Sequence, residues 1–140
     1  MFRSAGVAAF ISTLLTVSAS SGQLPLRDVT GDGMWDCKDS KGEYAGSVVL
    51  AETTYAYIKP DGRVGGYGKV YIITEGLDLP LYAMVSGYFK DQMRSQGFGM
   101  RGPKANPHKL DGELFLNVIL SPGGDGALDW DCVRRKAPAA

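Results

Sequence analysis

Apolar and polar residues alternate through much of this chain in the two-residue rhythm of β-strands. The clearest case runs from Val64 to Ile73. Val64, Gly66, Gly68, Val70 and Ile72 fall on one face, and Gly65, Tyr67, Lys69, Tyr71 and Ile73 fall on the other. Before it, Tyr44 to Leu50 is small and β-branched, and Tyr55-Ala56-Tyr57-Ile58 begins another strand. Pro60-Asp61-Gly62 is a tight-turn sequence, so the pattern predicts a long hairpin with a glycine-rich return strand. Leu81 to Val85 reads as a further strand. Glu113 to Leu120 is the most continuous apolar stretch and is expected to be central. Pro122 to Gly126 then turns the chain into a last antiparallel strand, Ala127 to Val133.

Helical spacing occurs once. Tyr88 to Gln96 lacks proline and interior glycine, places Phe89 and Met93 four apart, and has Ser86 and Gly97 as candidate caps. This predicts about two turns, too short to stand without tertiary packing. Phe89 and Met93 are therefore expected to cover one end or edge of the sheet. Gly97 to Gly102 is punctuated by glycine and Pro103 to Asp111 is polar, which predicts an exposed loop of the kind that carries function.

The chain's two cysteines give these strands an arrangement. Met34-Trp35-Asp36-Cys37 is echoed by Trp130-Asp131-Cys132, and each cysteine belongs to one copy. In a strand, each Trp shares a face with its own Cys while the Asp between them points away. The echo predicts two closing strands joined by a Cys37–Cys132 disulfide. Such a bond closes a loop of about 95 residues, for which chain entropy gives at most roughly 4–5 kcal/mol. Without a CxxC spacing a redox-active pair is not expected. The fold class that follows is mainly β. We expect a small antiparallel β-barrel or curled meander of about seven or eight strands with one short helix, closed by the disulfide between its first and last strands.

The N-terminus bears on location. Arg3 precedes an apolar run, Ala5 to Val17, that is too short to cross a membrane and ends among small residues, as in a secretory signal peptide cleaved after Ala19. We therefore expect residues 1–19 as signal peptide, 20–33 as leader, 34–134 as one β domain and 135–140 as a disordered tail. The protein would be exported, periplasmic if the source is bacterial and otherwise secreted, an environment that favours the disulfide. Later segments fall short of the ~20 apolar residues of a membrane helix, so no membrane span is expected in the mature chain. The lack of an Asn-x-Ser/Thr sequon suits a bacterial export product.

Formal charge balances, with 15 basic and 15 acidic residues. Its arrangement is less even. Asp28, Asp32, Asp36, Asp39 and Glu43 make the early mature chain acidic, and Lys90, Arg94, Arg101, Lys104 and Lys109 form a basic stretch followed later by Arg134, Arg135 and Lys136. The basic stretch, around Arg94 and Arg101, is a candidate docking surface for something anionic. Asp28 to Asp39 resembles the calcium loop of EF-hand and dockerin modules. Asp28, Asp32, Asp36 and Asp39 stand at loop positions one, five, nine and twelve, and Gly33 at the turn glycine. Thr30 replaces the usual Asp or Asn, Asp39 replaces the usual Glu, and flanking helices are missing. The preferred reading is a Gly-Asp-Gly turn that feeds the first strand, with calcium at Asp28, Thr30, Asp32, Asp36 and Asp39 as the alternative.

Candidate chemistry is otherwise sparse. Gly62 to Lys69 has the wrong spacing for a phosphate-binding loop. His108 is the single histidine, which excludes histidine-rich metal sites, and no G-x-S-x-G elbow positions a serine beside it. Two carboxylates can in principle cleave a glycosidic bond, and Glu52, Glu75, Asp78, Asp91, Asp111 and Glu113 are all candidates for such a pair. No cofactor is expected. Tyr55, Tyr57, Tyr67 and Tyr71 cluster on the hairpin, where cross-strand pairing would stabilise the sheet and an outward-facing ring could instead grip a sugar or a protein. The reading reached from sequence is a small exported, non-enzymatic binding protein of the cell envelope or periplasm. Its partner would be an envelope component, an anionic polysaccharide or another exported protein, with no nucleic acid. The candidate binding residues are Tyr55, Tyr57, Tyr67, Tyr71, Arg94 and Arg101. An inhibitor of a secreted hydrolase, or a small carboxylate-dependent glycoside hydrolase, is the alternative.

Overall fold

Eight strands follow one another in chain order, each antiparallel to the next, and the last pairs with the first to close a barrel. They are β1 (Gly33–Lys38), β2 (Tyr44–Ala51), β3 (Thr54–Ile58), β4 (Val64–Ile73), β5 (Leu81–Gly87), β6 (Gly97–Arg101), β7 (Phe115–Ile119) and β8 (Trp130–Arg134). One short helix, α1 (Tyr88–Asp91), lies between β5 and β6. This computed structural model describes residues 30–107 and 112–136. The expected signal peptide, most of the leader and the last four residues lie outside them, as do Asp28, His108, Lys109 and Asp111. Closure leaves no strand of the barrel as the free edge of an open sheet. Among the described residues no helix is long and apolar enough to cross a membrane.

The period-two pattern sorts side chains between the interior and the outer wall. Trp35, Val48, Leu50, Tyr55, Tyr57, Val70, Tyr82, Phe98, Leu116, Val118 and Trp130 are buried and form one core with the two cysteines. Burying each large apolar side chain stabilises by roughly 1.5–3 kcal/mol. Two tyrosines from β3 fit inside because glycine faces them from β4, Tyr55 opposite Gly68 and Tyr57 opposite Gly66. A Cβ at Gly68 would overlap the Tyr55 ring. The glycine-rich return strand thus makes room for aromatic rings.

Each end of the barrel is covered differently. At one end lie α1 and the β1–β2, β3–β4 and β7–β8 turns. There Phe89 of α1 is fully buried, its ring centre 5.4 Å from Tyr55, 5.1 Å from Tyr57, 5.4 Å from Phe98 and 5.8 Å from Trp130. At the other end, the Gly31 N–H donates to the Tyr82 hydroxyl of β5 (2.6 Å) while the Gly31 carbonyl accepts the Trp35 indole N–H of β1 (2.7 Å). Since β1 and β5 are opposite in an eight-stranded barrel, the Tyr82 side chain reaches from β5 to Gly31, just before β1, at this end. Aromatic side chains fill the space between.

Cys37 and Cys132 stand directly opposite each other on β1 and β8, with Cα atoms 4.0 Å apart, and are bonded. The disulfide linking first and last strands is as the echoed triplet predicts.

Several expectations are corrected. The helix expected over Tyr88 to Gln96 is only four residues long, is preceded by Gly87 with no side-chain cap, and gives way to a left-handed residue at Arg94. Ser86 belongs to β5, where its carbonyl accepts the Tyr55 hydroxyl. Phe89 and Met93 do pack on the core, as anticipated. Gly97 to Arg101, expected as loop, is strand β6, because glycine at 97 (φ +151°) lets β6 approach the Tyr82 carbonyl of β5. Arg135, expected in the tail, is tied down: its N–H donates to the Met34 carbonyl at 2.7 Å and its guanidinium to Asp36.

Candidate functional site

The core fills the interior, and the exposed candidate residues lie on the outer wall. Strand alternation that sends Val70 and Ile72 inward sends Tyr67, Lys69 and Tyr71 outward along one line of β4. Tyr67 is 68% and Tyr71 65% exposed. Beside them the wall is hollowed into a groove of about 520 Å³. Ala56 faces Tyr67 across β3–β4, and Val49 faces Ala56 across β2–β3, so short side chains form its floor while Tyr67 and Lys69 border it. Ala51 and Thr54 continue it toward the β2–β3 turn.

Tyr55 and Tyr57 part company with this surface. They are 3% and 6% exposed and point inward. The Tyr55 hydroxyl donates to the Ser86 carbonyl (2.9 Å) and accepts the Phe89 N–H (3.0 Å); the Tyr57 hydroxyl donates to the Ala45 carbonyl (2.7 Å). Burial raises the pKa of both above the ordinary tyrosine value. Cross-strand tyrosine pairing does not occur, because the partners in register are glycine and alanine: Gly68 for Tyr55, Gly66 for Tyr57, Ala56 for Tyr67 and Ala83 for Tyr71.

The basic stretch is likewise divided. Arg94 precedes β6 at the α1 end, whereas Arg101 closes β6 at the far end. Arg101 is fully engaged, donating to Asn117 (3.1 Å), the Gly102 carbonyl (2.7 Å) and Asp131 (2.8 Å), with its guanidinium carbon 4.8 Å from the Phe115 ring centre. Lys104 also reaches Asp131, at 3.0 Å. Arg94 and Arg101 therefore do not form one docking face.

Arg101 instead borders a second hollow, a cleft of about 410 Å³ over the β1–β8 seam. The Asp of each Trp-Asp-Cys triplet, pointing away from the core, lines it. Asp131 accepts from Arg101, Lys104 and Asn117. Burial opposes its charge, but these hydrogen bonds together outweigh burial and hold its pKa below the ordinary carboxylate value. Asp36 accepts from Arg135 (2.6 and 3.0 Å) and from Ser47 (2.7 Å), and the Arg135 bonds chiefly lower its pKa against a smaller opposing effect of burial. Hydrogen bonds thus favour the charged form of both carboxyls.

Of the calcium alternative's residues, Asp28 lies outside the described residues, and the other four side chains have separate partners. β1 runs extended through the middle of the stretch and separates its carboxylates. Asp32 accepts the Glu52 N–H at the β2–β3 turn, Asp36 binds Ser47 and Arg135, and Asp39 accepts the Lys41 and Glu43 N–H groups within the β1–β2 turn. The Thr30 hydroxyl accepts the Asp32 N–H. Among the described residues no three His, Cys, Asp or Glu side chains converge as a metal site would need. Of the other carboxylates considered, Glu52 in the β2–β3 turn, Glu75 and Asp78 in the β4–β5 loop and Glu113 before β7 lie in connections at the end opposite α1, and Asp91 lies in α1.

Two features escaped the sequence. Alternation placed Lys69 between Tyr67 and Tyr71, but the groove floor needs the β2–β3–β4 register. The pairing of Arg101 with Asp131, 30 residues apart, has no local signal. No protein-family model matches this chain, and no curated protein or solved structure matches it.

Proposed function

We propose that this is an exported, non-enzymatic binding protein of the cell envelope, periplasmic in a bacterial source, that holds an anionic polysaccharide on the outer face of β4. The observation that carries this reading is the line Tyr67–Lys69–Tyr71, two well-exposed aromatic rings with an exposed lysine between them. Sugar rings present C–H faces that stack on aromatic rings, and the tyrosine hydroxyls supply hydrogen bonds at the rim. Four residues of strand separate the two rings by about 13 Å, a span that suits a chain of sugars better than a single one. Lys69 favours acidic sugars, by a screened attraction that weakens as salt is added. Barrel closure supports side-chain recognition as well, since a partner strand has no edge to extend.

The test is retention on immobilised polygalacturonate compared with neutral dextran. The native protein is expected to be retained on the acidic polymer and released by salt. Tyr67→Ala and Tyr71→Ala each lose roughly tenfold in affinity, as removal of an anchoring aromatic does. Lys69→Gln weakens binding and flattens its salt dependence. Equal retention of the native protein and the Tyr67→Ala/Tyr71→Ala double variant rejects this surface.

A further inference from the structure

The seam cleft lies on a different part of the wall from the β4 line. Its floor follows from register. Phe115, Val133 and Asp36 form one outward row across β7, β8 and β1, and Asn117, Asp131, Lys38 and Tyr44 form the next, continuing into β2. A barrel wall is ordinarily convex, yet here Pro103 and Lys104 rise on one side and Tyr44 on the other, leaving a trough between them. Val133 and Tyr44 expose 43% and 49% of their surface in or beside it. An apolar floor with a few convergent polar groups is the usual make-up of a small-ligand site, and the cleft volume falls within the usual range of roughly 300–1,000 Å³.

Charge narrows the ligand. Lys38, Arg101, Lys104 and Arg135 surround two carboxylates, Asp36 and Asp131. Both carboxylates already have cationic partners, so they offer little to a cation. Lys38 stands across from Asp131 in the β1–β8 register, and its ammonium makes no ion pair among the described residues. Lys104 is 76% exposed while bonded to Asp131, a carboxylate that Arg101 and Asn117 would still hold if Lys104 turned to a ligand. The positive surplus therefore includes two exposed lysines on the rim of an apolar trough.

We propose that the cleft over the β1–β8 seam binds a small amphipathic carboxylate, its apolar body lying on Val133, Phe115 and Tyr44 and its carboxylate meeting Lys38 and Lys104. This is independent of polysaccharide binding on β4. The test is NMR titration of the ¹⁵N-labelled protein with 4-phenylbutyrate and, in parallel, with uncharged 4-phenylbutan-1-ol. The acid is expected to shift the amides of Lys38, Tyr44 and Val133 saturably, and the alcohol to bind at least about fivefold more weakly. Lys38→Gln combined with Lys104→Gln brings the acid down to the level of the alcohol. Val133→Asp, which places a negative charge on the floor, removes binding while amides elsewhere keep their native shifts. The proposal is overturned by absence of saturable shifts up to about 10 mM acid. Equal binding of acid and alcohol overturns it too, as do shifts confined to Tyr67–Tyr71.

Discussion

Trp35 and Trp130 lie in one barrel interior at opposite ends, each two residues before a half of the same disulfide. The relationship is a consequence of running one triplet in two antiparallel strands. From the bonded pair at the centre of the seam, β1 carries its Trp toward the end where Gly31 lies, and β8 carries its Trp toward α1. Trp35 is held by its indole bond to Gly31 and by the Arg134 guanidinium, 4.6 Å above the ring. Trp130 packs against Tyr57 and Phe89, each with ring centres 5.8 Å away. A single repeated motif thus staples the seam and places an aromatic ring toward each end.

Removing the staple should weaken the barrel without unravelling its register. Cys37→Ala with Cys132→Ala frees a loop of 95 residues in the unfolded state. We expect a loss of about 2–4 kcal/mol in denaturant unfolding, less than the full entropy value because the unfolded chain retains residual structure. An unchanged midpoint would contradict a structural role for the bond.

Phe89 is the side chain on which the α1 end depends. It touches four aromatic rings from β3, β6 and β8 as well as its neighbour Tyr88. Phe89→Ala should cost about 3–5 kcal/mol and reduce near-ultraviolet circular dichroism, whereas Phe89→Leu should retain more than half of that stability. Equilibrium unfolding of the two variants checks this order.

Backbone contact makes Gly87 intolerant of any side chain. Its φ is +97°, and a Cβ would overlap the Tyr67 carbonyl and the Gly68 Cα on β4. Gly76 has φ +75° with open space around it. Gly87→Ala should therefore cost about 3 kcal/mol or more, and Gly76→Ala only about 1 kcal/mol, in the same unfolding assay.

Stability should fall at both extremes of pH for separate reasons. Asp36 and Asp131 have folded-state pKa values below the unfolded one, so their contribution is present above about pH 4 and is lost as pH drops through the folded values. Asp131→Asn should flatten this acid limb. Tyr55 and Tyr57 have raised values, so their contribution is complete below about pH 10 and is lost as pH rises through the folded values. Denaturation midpoints between about pH 2 and 11 would show both limbs. An acid limb unchanged by Asp131→Asn would contradict the ion pair's part in it.

The outline of the barrel was legible because its information is local or repeated. Alternation marked the long strands, Pro60-Asp61-Gly62 marked a hairpin turn, and the echoed triplet paired first strand with last. β6 was illegible for the opposite reason: Gly97 and Gly99 resemble loop residues, and the need for glycine comes from β5 lying against Gly97. The end of α1 was hidden too, since a left-handed Arg94 is imposed by packing rather than by propensity.

For the candidate site the division is similar. Side-chain parity within β4 determined that Tyr67, Lys69 and Tyr71 share a face. Only closure of the sheet decided that this face is outside, that Tyr55 and Tyr57 are inside, and that glycines receive them. Parity within each triplet likewise determined that Asp36 and Asp131 oppose their cysteines. Tertiary structure alone brought Arg101, Lys104 and Arg135 to them, because an ion pair depends on distance in space and leaves no period in the sequence. The sequence by itself therefore determined which residues share a face, through the fixed geometry of an extended chain. Which face meets water, and which charges meet each other, was decided by strand register and barrel closure.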